Sequence, residues 1–583
     1  IYATAVFAQA PVITSAGDPS VNADTIYALA IDAAAPTDEP VVFLFDDVVV
    51  RINGDGRGTS TYRQVVHVRE QRAVSAFAER RLGYSPDRQK LTLNWARVLS
   101  PSGEVISDAP AQMQESDVAA AVSNPVYVNR REIRLSMGGV APNTIIDMSY
   151  TVEELDPYLE GDFYTRRNVH ATVPVRRSRF ILDVPAEVQP RITANNLNFE
   201  PVTSSDGSRR AYTWLATDVP RYRPEPFAPD TNSVHMHVIA SLPLDWSDIG
   251  RWYGELSRDR DALPATVQAK VREITADAAS RLDSIRAVHR WVAQDIRYVS
   301  VSLGIGGYQP RTPGETVTTG FGDCKDKATL FIATLRSLGI DAHPVLLNTN
   351  ASTVRREHPS IRQFNHMIAA VAEADGYTFT DLTAALTPYG EVPLGEQGGF
   401  ALVVRPDSRT EQVVLPAMPA YGRRIDYLIV ATLAESGELS GSMEETSTGY
   451  GFEARRALFA APLDSARTAE VMRALLRPMR GATGDSIQAF AGRDLYAPVR
   501  YRIHFSGGRG MDQAGGLALF SFPFGVLPAT PRIRAIEAME ERRSSIVAEE
   551  VLRPLPPTTT VIDMRVTLPE GWRARVPDDV VVQ

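Results

Sequence analysis

The spacing of apolar residues changes twice along the chain, and this change constrains the fold more than any other feature. Between about residues 40 and 240, apolar residues alternate over short runs, which is typical of half-buried β-strands. Residues 241–405 carry apolar residues at helical spacing, and strand-like runs return at residues 420–583. A chain of 583 residues can bury several cores. We therefore expect a multi-domain α+β protein whose central α+β core is flanked by two β-rich domains.

Turn signals divide the first β-rich part into short strands. Residues 53–56 read Asn-Gly-Asp-Gly between two β-rich runs, and this pattern predicts a hairpin. Leu91, Leu93 and Trp95 alternate with polar residues, which predicts that they share one strand face. Short strands at such spacing favour an antiparallel β-sandwich for the N-terminal β-rich domain.

The second β-rich part, residues 420–583, also favours an antiparallel β-sandwich, interrupted by a helical piece near residues 465–477. The proline-rich residues 219–230 are suited to a crossing between domains.

Charge and hydropathy exclude some partners. The chain has 61 Lys and Arg against 70 Asp and Glu, and a net charge of −9 gives no basic surface for nucleic acid. No apolar run reaches the roughly 18 residues of a membrane-spanning helix. The first residues, "IYATAVFAQAPV", resemble the end of a secretory signal peptide, with cleavage after Ala8 favoured over Ala10 because Pro11 follows. We interpret residues 1–10 as a signal-peptide remnant and expect an exported, periplasmic protein.

The single cysteine, Cys324, lies at the predicted start of a helix. One cysteine excludes a disulfide within the chain and a site with several cysteine ligands. Asp323 is the expected N-cap, and Gly320 and Gly322 permit a tight turn before it. In the first helical turn, free N–H groups and the positive end of the helix dipole stabilise a thiolate, which is the nucleophilic form. We therefore predict that Cys324 is a nucleophile, although a lone cysteine can also be a small buried hydrophobe.

The helix that follows Cys324 has one apolar face, with residues spaced at i, i+3, i+4 and i+7: Ala328, Phe331, Ile332 and Leu335. Gly339 is placed to end it. Lys325 and Lys327 are expected to add positive charge near the thiol. An earlier helix carries a similar stripe: Ile285, Val288, Val292 and Ile296.

A thiolate nucleophile needs a base, and the base needs an orienting partner. His366 opens one β-like run and Asp381 closes the next. With a two-residue hairpin loop, Asp381 pairs opposite Ala370. With a four-residue loop over residues 372–375, His366 and Asp381 lie directly opposite each other. We predict the longer loop, because it permits an imidazole–carboxylate contact and completes a triad with Cys324.

Several stretches resemble known bacterial proteins. The segments "FGDCKDKATLFIATLRSLGIDAHPVLL", "NHMIAAV" and "FTDLT" are similar to the core of the transglutaminase-like superfamily. The segments "INGDGRGTSTYRQVVHV", "ARVLSPSGEVI" and "APNTIIDMSYTVEE" resemble a domain of the DUF3857 type that precedes such cores. The resemblance spans about residues 40–570. It implies a papain-like fold with Cys324, His366 and Asp381 as a Cys-His-Asp triad.

The resemblance also bears on oxyanion stabilisation. The Cys324 backbone N–H is one candidate donor. Gln309 or Tyr308 is a second, since papain-like enzymes use a glutamine upstream of the cysteine. Trp291 is a lesser candidate, by analogy with transglutaminases that use tryptophan, because its place on a helix stripe indicates core packing.

The triad implies attack on an amide carbonyl of a protein, peptide or cell-envelope substrate, through a thioester and without a cofactor or metal. Resolution by an amine gives acyl transfer, and resolution by water gives deamidation or proteolysis; the sequence leaves both open. A strict cysteine peptidase and a non-catalytic binding or scaffold protein are the alternatives. His235 and His237 share a strand face, but no third ligand is evident, which favours a structural role for both.

Overall fold

The computed structural model describes residues 23–30, 39–118, 126–222, 235–417, 422–461, 463–477, 479–490, 494–514, 517–520 and 558–575. They belong to two compact units. The first comprises Ile1–Tyr377 and Gly399–Leu415, and the second comprises Thr378–Gly398 and Pro416–Gln583. Among the described helices, none combines the length and apolar character needed to cross a bilayer. The predicted signal-peptide remnant and most of the proline-rich crossing lie outside the described residues.

The N-terminal part of the first unit is built mainly from strands. In chain order they are β1 (Val41–Ile52), β2 (Gly58–Val68), β3 (Glu79–Tyr84), β4 (Gln89–Leu99), β5 (Val105–Ser107), β6 (Gln112–Asp117), β7 (Val126–Val128), β8 (Arg131–Ser136), β9 (Thr144–Glu154), β10 (Tyr164–Asn168), β11 (Val175–Pro185), β12 (Arg191–Asn195), β13 (Val202–Ser205), β14 (Arg209–Val219) and β15 (His237–Ser241). The helices are α1 (Ala23–Ala28) and α2 (Gln71–Ala78).

An eight-stranded sheet with the order β13-β14-β11-β1-β2-β9-β4-β5 dominates this part, beside the three-stranded sheets β10-β15-β12 and β3-β8-β6. The hairpin predicted at residues 53–56 is confirmed, because β1 and β2 pair antiparallel around it. The expectation of a wholly antiparallel arrangement is wrong, because β1 and β11 run parallel. Turn signals fix the direction of strands that are joined by a hairpin, whereas β1 and β11 are far apart in sequence.

A β-bulge reverses the predicted face of Trp95. The pairing of β4 with β9 shifts register between Leu93 and Trp95. Leu91 and Leu93 pack on the hydrophobic core of this sheet, and Trp95 instead turns to the other face, where its Nε1 donates to the Asp147 carboxylate at 3.0 Å. The predicted common face is therefore wrong, because one extra residue at a bulge inverts every following side chain.

Asp147 is the centre of a buried polar cluster in this sheet. Its Oδ1 accepts from Arg63 Nε at 3.1 Å and from Trp95 Nε1 at 3.0 Å. Its Oδ2 accepts from Arg63 Nη2 at 3.0 Å, Arg97 Nη2 at 2.9 Å and the Tyr27 hydroxyl at 2.5 Å. Burial alone would raise the pKa of Asp147, but the bonds and charge from Arg63 outweigh burial and hold that pKa below its usual range.

The second half of the first unit is a mixed α+β core. Its helices are α3 (Trp246–Leu256), α4 (Ala265–Ile274), α5 (Arg281–Arg290), α6 (Pro313–Thr319) and α7 (Cys324–Ser337), with a π-helical turn at Trp291–Asp295 and short 3-10 turns at Gly304–Gly307 and Ile361–Gln363. Its strands are β16 (Arg297–Tyr298), β17 (Ser300–Ser302), β18 (Phe321–Gly322), β19 (Ala342–Leu347), β20 (His366–Glu373), β21 (Gly376–Thr380), β22 (Phe400–Val404) and β23 (Thr410–Val414); β21 spans the boundary between the units.

Helix α7 packs against β19 and β20, which continue into β22 and β23 as an antiparallel sheet. The predicted apolar face of α7 is confirmed as buried: Ala328, Phe331, Ile332 and Leu335. The earlier stripe is buried as well: Ile285, Val288, Val292 and Ile296. Gly339 follows the helix at φ +75°, a conformation that glycine adopts without a Cβ clash.

The hairpin loop after β20 is shorter than predicted. Strand β20 continues to Glu373 and β21 begins at Gly376, which leaves two residues between them. The Ala372 N–H donates to the Asp341 carbonyl at 2.9 Å, so pairing with the neighbouring strand extends this far. Arg281 also donates to the Ala372 carbonyl at 2.8 Å. The predicted four-residue loop is wrong because these bonds keep its first residues in the strand.

The second unit contains the strands β24 (Arg423–Leu433), β25 (Glu438–Gly449), β26 (Thr483–Phe490), β27 (Val499–Arg509), β28 (Met511–Ala514), β29 (Leu517–Phe520) and β30 (Thr559–Thr567), and the helices α8 (Glu453–Phe459) and α9 (Ser465–Leu476). Five strands form a sheet with the order β26-β27-β25-β24-β30. Apolar residues of its strands and of α9 form one core, which confirms the predicted helix. Strands β24 and β30 run parallel, so the antiparallel expectation is also wrong here.

Candidate active site

The turn before Cys324 is held by a reciprocal capping box. Asp323 is the N-cap of α7, and its Oδ1 accepts from the Asp326 N–H at 3.2 Å. The Asp323 N–H donates back to Asp326 Oδ2 at 3.2 Å. Gly320 has φ +69°, and a Cβ on Gly322 would lie 2.8 Å from the Asp326 Cβ. Cys324 therefore takes the first helical position, where its N–H has no acceptor within the helix.

Arg311 fixes this turn from outside the helix. Its backbone N–H donates to Asp326 Oδ1 at 2.8 Å, and its Nε donates to Asp326 Oδ2 at 2.9 Å. Its Nη2 donates to the Phe321 carbonyl at 2.7 Å. Sequence reasoning missed Arg311, because an arginine in a loop carries no local signal of a partner fifteen residues away.

The two lysines expected to add charge near the thiol have structural partners. Lys325 is buried and forms an ion pair with Asp323. Burial raises the pKa of Asp323, and the Lys325 charge opposes that rise. Lys327 is buried and donates to the carbonyls of Ala293 at 3.1 Å and Ile296 at 2.8 Å. Much of the positive charge is therefore paired or hydrogen-bonded inside the protein. Lys327 binds the carbonyls at the end of the π-helical turn Trp291–Asp295.

Cys324 and His366 line one cavity of about 340 Å³ in the first unit. The thiol-bearing residue is partly exposed, as a nucleophile must be. Tyr298 lies close to both groups: burial raises its pKa, Cys324 raises it further, and His366 lowers it. The structure thus brings the predicted nucleophile and the predicted base to the same space.

Tyr253 forms part of the cavity wall next to the thiol. It is buried on α3, and its hydroxyl donates to the Met367 sulfur at 2.9 Å. Burial raises the pKa of Tyr253, and Cys324 raises it further. Because Met367 directly follows His366, this bond connects α3 to the strand that carries the imidazole.

The structure also describes the surroundings of the other predicted residues. Tyr308 lines the cavity. Gln309 is absent from the described cavity lining, and its Nε2 donates to the Leu256 carbonyl at 3.0 Å. Trp291 is buried in the π-helical turn, in agreement with a core role. Asp381 is buried in the second unit, where its Oδ1 accepts from Thr383 N–H and Oγ1, both at 2.8 Å. Its part in a triad stays a prediction.

The predicted common strand face of His235 and His237 is wrong, because β15 begins at His237 and His235 precedes it, but the contacts of both histidines favour a structural role. His237 is buried, and its Nδ1 lies 2.8 Å from the His235 carbonyl oxygen. Burial lowers the pKa of His237 to about 4. The His235 ring packs edge-on against His170 and Tyr222, with ring centroids 4.7 and 4.5 Å apart.

One wall of the cavity comes from the N-terminal part of the chain, which sequence reasoning did not foresee: Ser85, Asp87, Arg88, Asn129, Arg130 and Tyr158. These residues lie in connections around β3, β4, β8 and β9. No periodicity in the sequence relates them to Cys324, because the approach is set by tertiary packing.

Comparison with known families agrees with this architecture of a β-rich part followed by a thiol-bearing α+β core. Residues 54–223 match DUF3857, described as a domain of unknown function with a solved structure. Residues 268–381 match the transglutaminase-like superfamily. These two matches, in this order, confirm the predicted resemblance.

A solved structure from Parabacteroides distasonis ATCC 8503, described as a "putative protease", is 12% identical; the match covers 80% of this chain and 93% of that chain, with a TM-score of 0.54. At this identity the likeness shows the multi-domain mixed α/β fold alone. A "putative cysteine protease" from Cytophaga hutchinsonii is 14% identical over 56% of this chain and 75% of its own, and its TM-score of 0.18 carries no argument. No curated protein matches the sequence.

Proposed function

We propose that this protein is a thiol enzyme that attacks amide bonds through Cys324. The observation that carries the proposal is the shared cavity of Cys324 and His366. The helix start supports it, because the dipole and the free N–H groups at that position favour a thiolate. The transglutaminase-like match over residues 268–381 adds support, since that resemblance implies acyl chemistry at Cys324.

In the proposed reaction, His366 takes the Cys324 proton and the sulfur attacks the amide carbonyl carbon. The tetrahedral intermediate collapses to a thioester, and the protonated imidazole gives its proton to the leaving amine or ammonia. Water or a second amine then attacks the thioester and restores the thiol. Asp381 would hold the imidazole tautomer. The Cys324 N–H and Tyr308 are the candidate oxyanion donors, whereas the Gln309 amide donates to the Leu256 carbonyl instead.

Strict peptide hydrolysis is the second candidate. The structure from Parabacteroides distasonis that shares this fold is described as a "putative protease", a class of enzyme in which water is the acceptor. The two candidates share the thioester and differ only in the group that resolves it, so one product assay separates them.

The first experiment measures the reactivity of Cys324. Because this is the only cysteine, iodoacetamide gives one adduct that mass spectrometry counts directly. We expect native protein at about pH 6 to alkylate at least tenfold faster than protein unfolded in urea, since an imidazole-paired thiolate persists there. His366→Asn should remove this advantage, and the exposed His504→Asn should keep it. A native rate no faster than the unfolded rate would favour a binding or scaffold role.

The second experiment identifies the product. Wild type and Cys324→Ala are incubated with glutamine-containing peptides, with and without a labelled primary amine. Label incorporation that disappears in the variant supports transfer. Ammonia release without incorporation supports deamidation, and new peptide termini support proteolysis. If wild type and Cys324→Ala give the same products, the enzyme proposal fails.

We also propose export to the periplasm, with a protein, peptide or cell-envelope amide as substrate. The proposal rests on the small residues near the start of the given sequence. Terminal sequencing of the protein purified from its native host should find a start at Gln9. A mature protein that retains Ile1–Ala8 would contradict cleavage at this position.

A further inference from the structure

The charged side chains that line the thiol cavity are not all paired. Arg88 forms an ion pair with Glu154 at 2.8 Å, and Lys325 has the carboxylate of the helix cap. Asp87 and Arg130 line the same cavity, and neither has an ion pair with any described residue. The cavity therefore presents one open negative and one open positive group beside the Cys324–His366 pair.

Arg130 is positioned by the strand beneath it. A Cβ built on Gly83 would lie 3.2 Å from Arg130 Nη2 and 3.3 Å from its Nε. A glycine inside a strand often permits such a close approach, and here it makes room for the guanidinium. Arg130 also lines a second cavity of about 360 Å³, which shares Ser85 and Arg88 with the first. Its planar donors thus border two neighbouring cavities, where they can bind a carboxylate.

The other positive groups of the second cavity are already paired. Arg362 contacts Asp162 at 3.2 Å and Glu154 at 3.3 Å, and Arg88 contacts the same Glu154. Arg130 is therefore the guanidinium of this lining, among the described residues, that remains open to a ligand anion.

Asp87 is held in place by a neutral donor. Its Oδ2 accepts from the Tyr158 hydroxyl at 2.5 Å, and the Tyr158 ring lies under the Arg88 guanidinium at 5.1 Å. Within the described residues, Oδ1 of Asp87 makes no hydrogen bond. A fixed carboxylate with an open oxygen in a cavity is suited to an ammonium group.

We propose, on the basis of the proposed function, that the substrate segment beside the attacked amide is zwitterionic: its carboxylate binds Arg130 and its primary ammonium binds Asp87. The chemical class is a peptide that ends in a diamino acid with a free α-carboxylate and a free side-chain amine, for which C-terminal lysine is the simplest probe. A singly charged segment would desolvate one of the two protein groups without replacing its water, which lowers affinity.

The test measures binding of three fluorescent peptides to Cys324→Ala protein by polarisation. The peptides share one sequence and end in lysine free acid, lysine amide or Nε-acetyl-lysine free acid. We expect the free acid with the free amine to bind about threefold to fivefold more tightly than either modified peptide, since Asp87 and Arg130 are exposed and an ion pair between exposed groups contributes about that ratio.

Each substitution should remove the preference for one charged group of the peptide and keep the preference for the other. In the Cys324→Ala background, Arg130→Gln should bind acid and amide equally and still prefer the free amine. Asp87→Asn should bind the free-amine and Nε-acetylated peptides equally and still prefer the free acid to the amide. The control Arg134→Gln, at an exposed arginine outside the cavity lining, should keep both preferences. A discrimination between acid and amide that survives Arg130→Gln would overturn the assignment.

The outcomes separate this inference from the proposed function. Equal affinity for all three peptides overturns the zwitterion proposal, whatever the activity of the wild type. The expected binding pattern without thioester formation or turnover in the wild type supports the charged site and defeats the enzyme proposal. Turnover of the lysine amide and the free acid at equal kcat/KM also counts against the charged site.

Discussion

The buried Asp147 offers the sharpest test of how the N-terminal sheet is stabilised. Asp147→Ala removes the acceptor of five hydrogen bonds from four side chains. Arg63 has a side chain only 9% exposed and would keep its charge without a partner, while Arg97 is 32% exposed and reaches water. Removing one partner of a buried ion pair costs about 3–5 kcal/mol, and we expect this loss in the free energy of unfolding of the domain.

The assay is urea unfolding combined with hydrogen exchange of β9, so that the domain that holds Asp147 is followed separately. Asp147→Asn keeps the shape and one acceptor oxygen and should lose about half as much. Asp117→Ala is the matched control, since its pairing with Arg131 is at the surface, and its stability should equal that of the wild type. A loss below about 1 kcal/mol for Asp147→Ala would refute the view that this cluster holds the sheet.

The same residue predicts a pH dependence. The folded pKa of Asp147 lies below its unfolded value, since hydrogen bonds and the Arg63 charge outweigh burial. Its stabilisation is therefore complete above the unfolded pKa of about 3.9 and is lost as pH falls through the folded pKa. The stability difference between wild type and Asp147→Ala should be constant from about pH 5 to 8 and should shrink below about pH 4.

Two further predictions concern other parts of the chain. Gly322→Ala should lower the alkylation rate of Cys324, because the new Cβ would lie 2.8 Å from the Asp326 Cβ and displace the turn. The control Gly339→Ala is strained by φ +75° but has open space, so it should lower helix stability and leave the alkylation rate nearly unchanged. Equal alkylation rates in the two variants would contradict this prediction. Burial raises the pKa of Glu391 to about 7 despite a bond from the Gly451 N–H. Since a raised carboxyl pKa destabilises the folded state as pH rises, Glu391→Gln should resist urea better than wild type at about pH 8 and equally at about pH 4.

Local signals in the sequence were sufficient to predict α7, the helix that begins at Cys324. The Asp323 cap, the apolar stripe of α7 and the glycine that ends it each depend on residues within one or two helical turns. The 53–56 hairpin has the same character, because two short runs and a turn determine it.

Features that depend on contacts between residues far apart in sequence could not be predicted from the sequence. The parallel pairing of β1 with β11 and the bulge at Trp95 arise from the partner strand, which the local pattern does not specify. The loop after β20 was misjudged because that strand is extended by a bond from the Ala372 N–H to the Asp341 carbonyl and by a bond from Arg281 to the Ala372 carbonyl. Lys325 and Lys327 were expected to add positive charge near the thiol, but nothing in the sequence indicated that they are buried against the Asp323 carboxylate and the Ile296 carbonyl.

Under the proposed function, the cavity wall within residues 54–223 would contribute to substrate selection, and the core would carry the reaction. The sulfur and imidazole come from one sequence region, and the side chains opposite them come from another that precedes it by more than a hundred positions. Under that function, exchange of the leading region between relatives would direct the same reaction to other substrates without changing Cys324 or His366. An excised core would, in turn, leave its cleft open on one side and lose much of its selectivity.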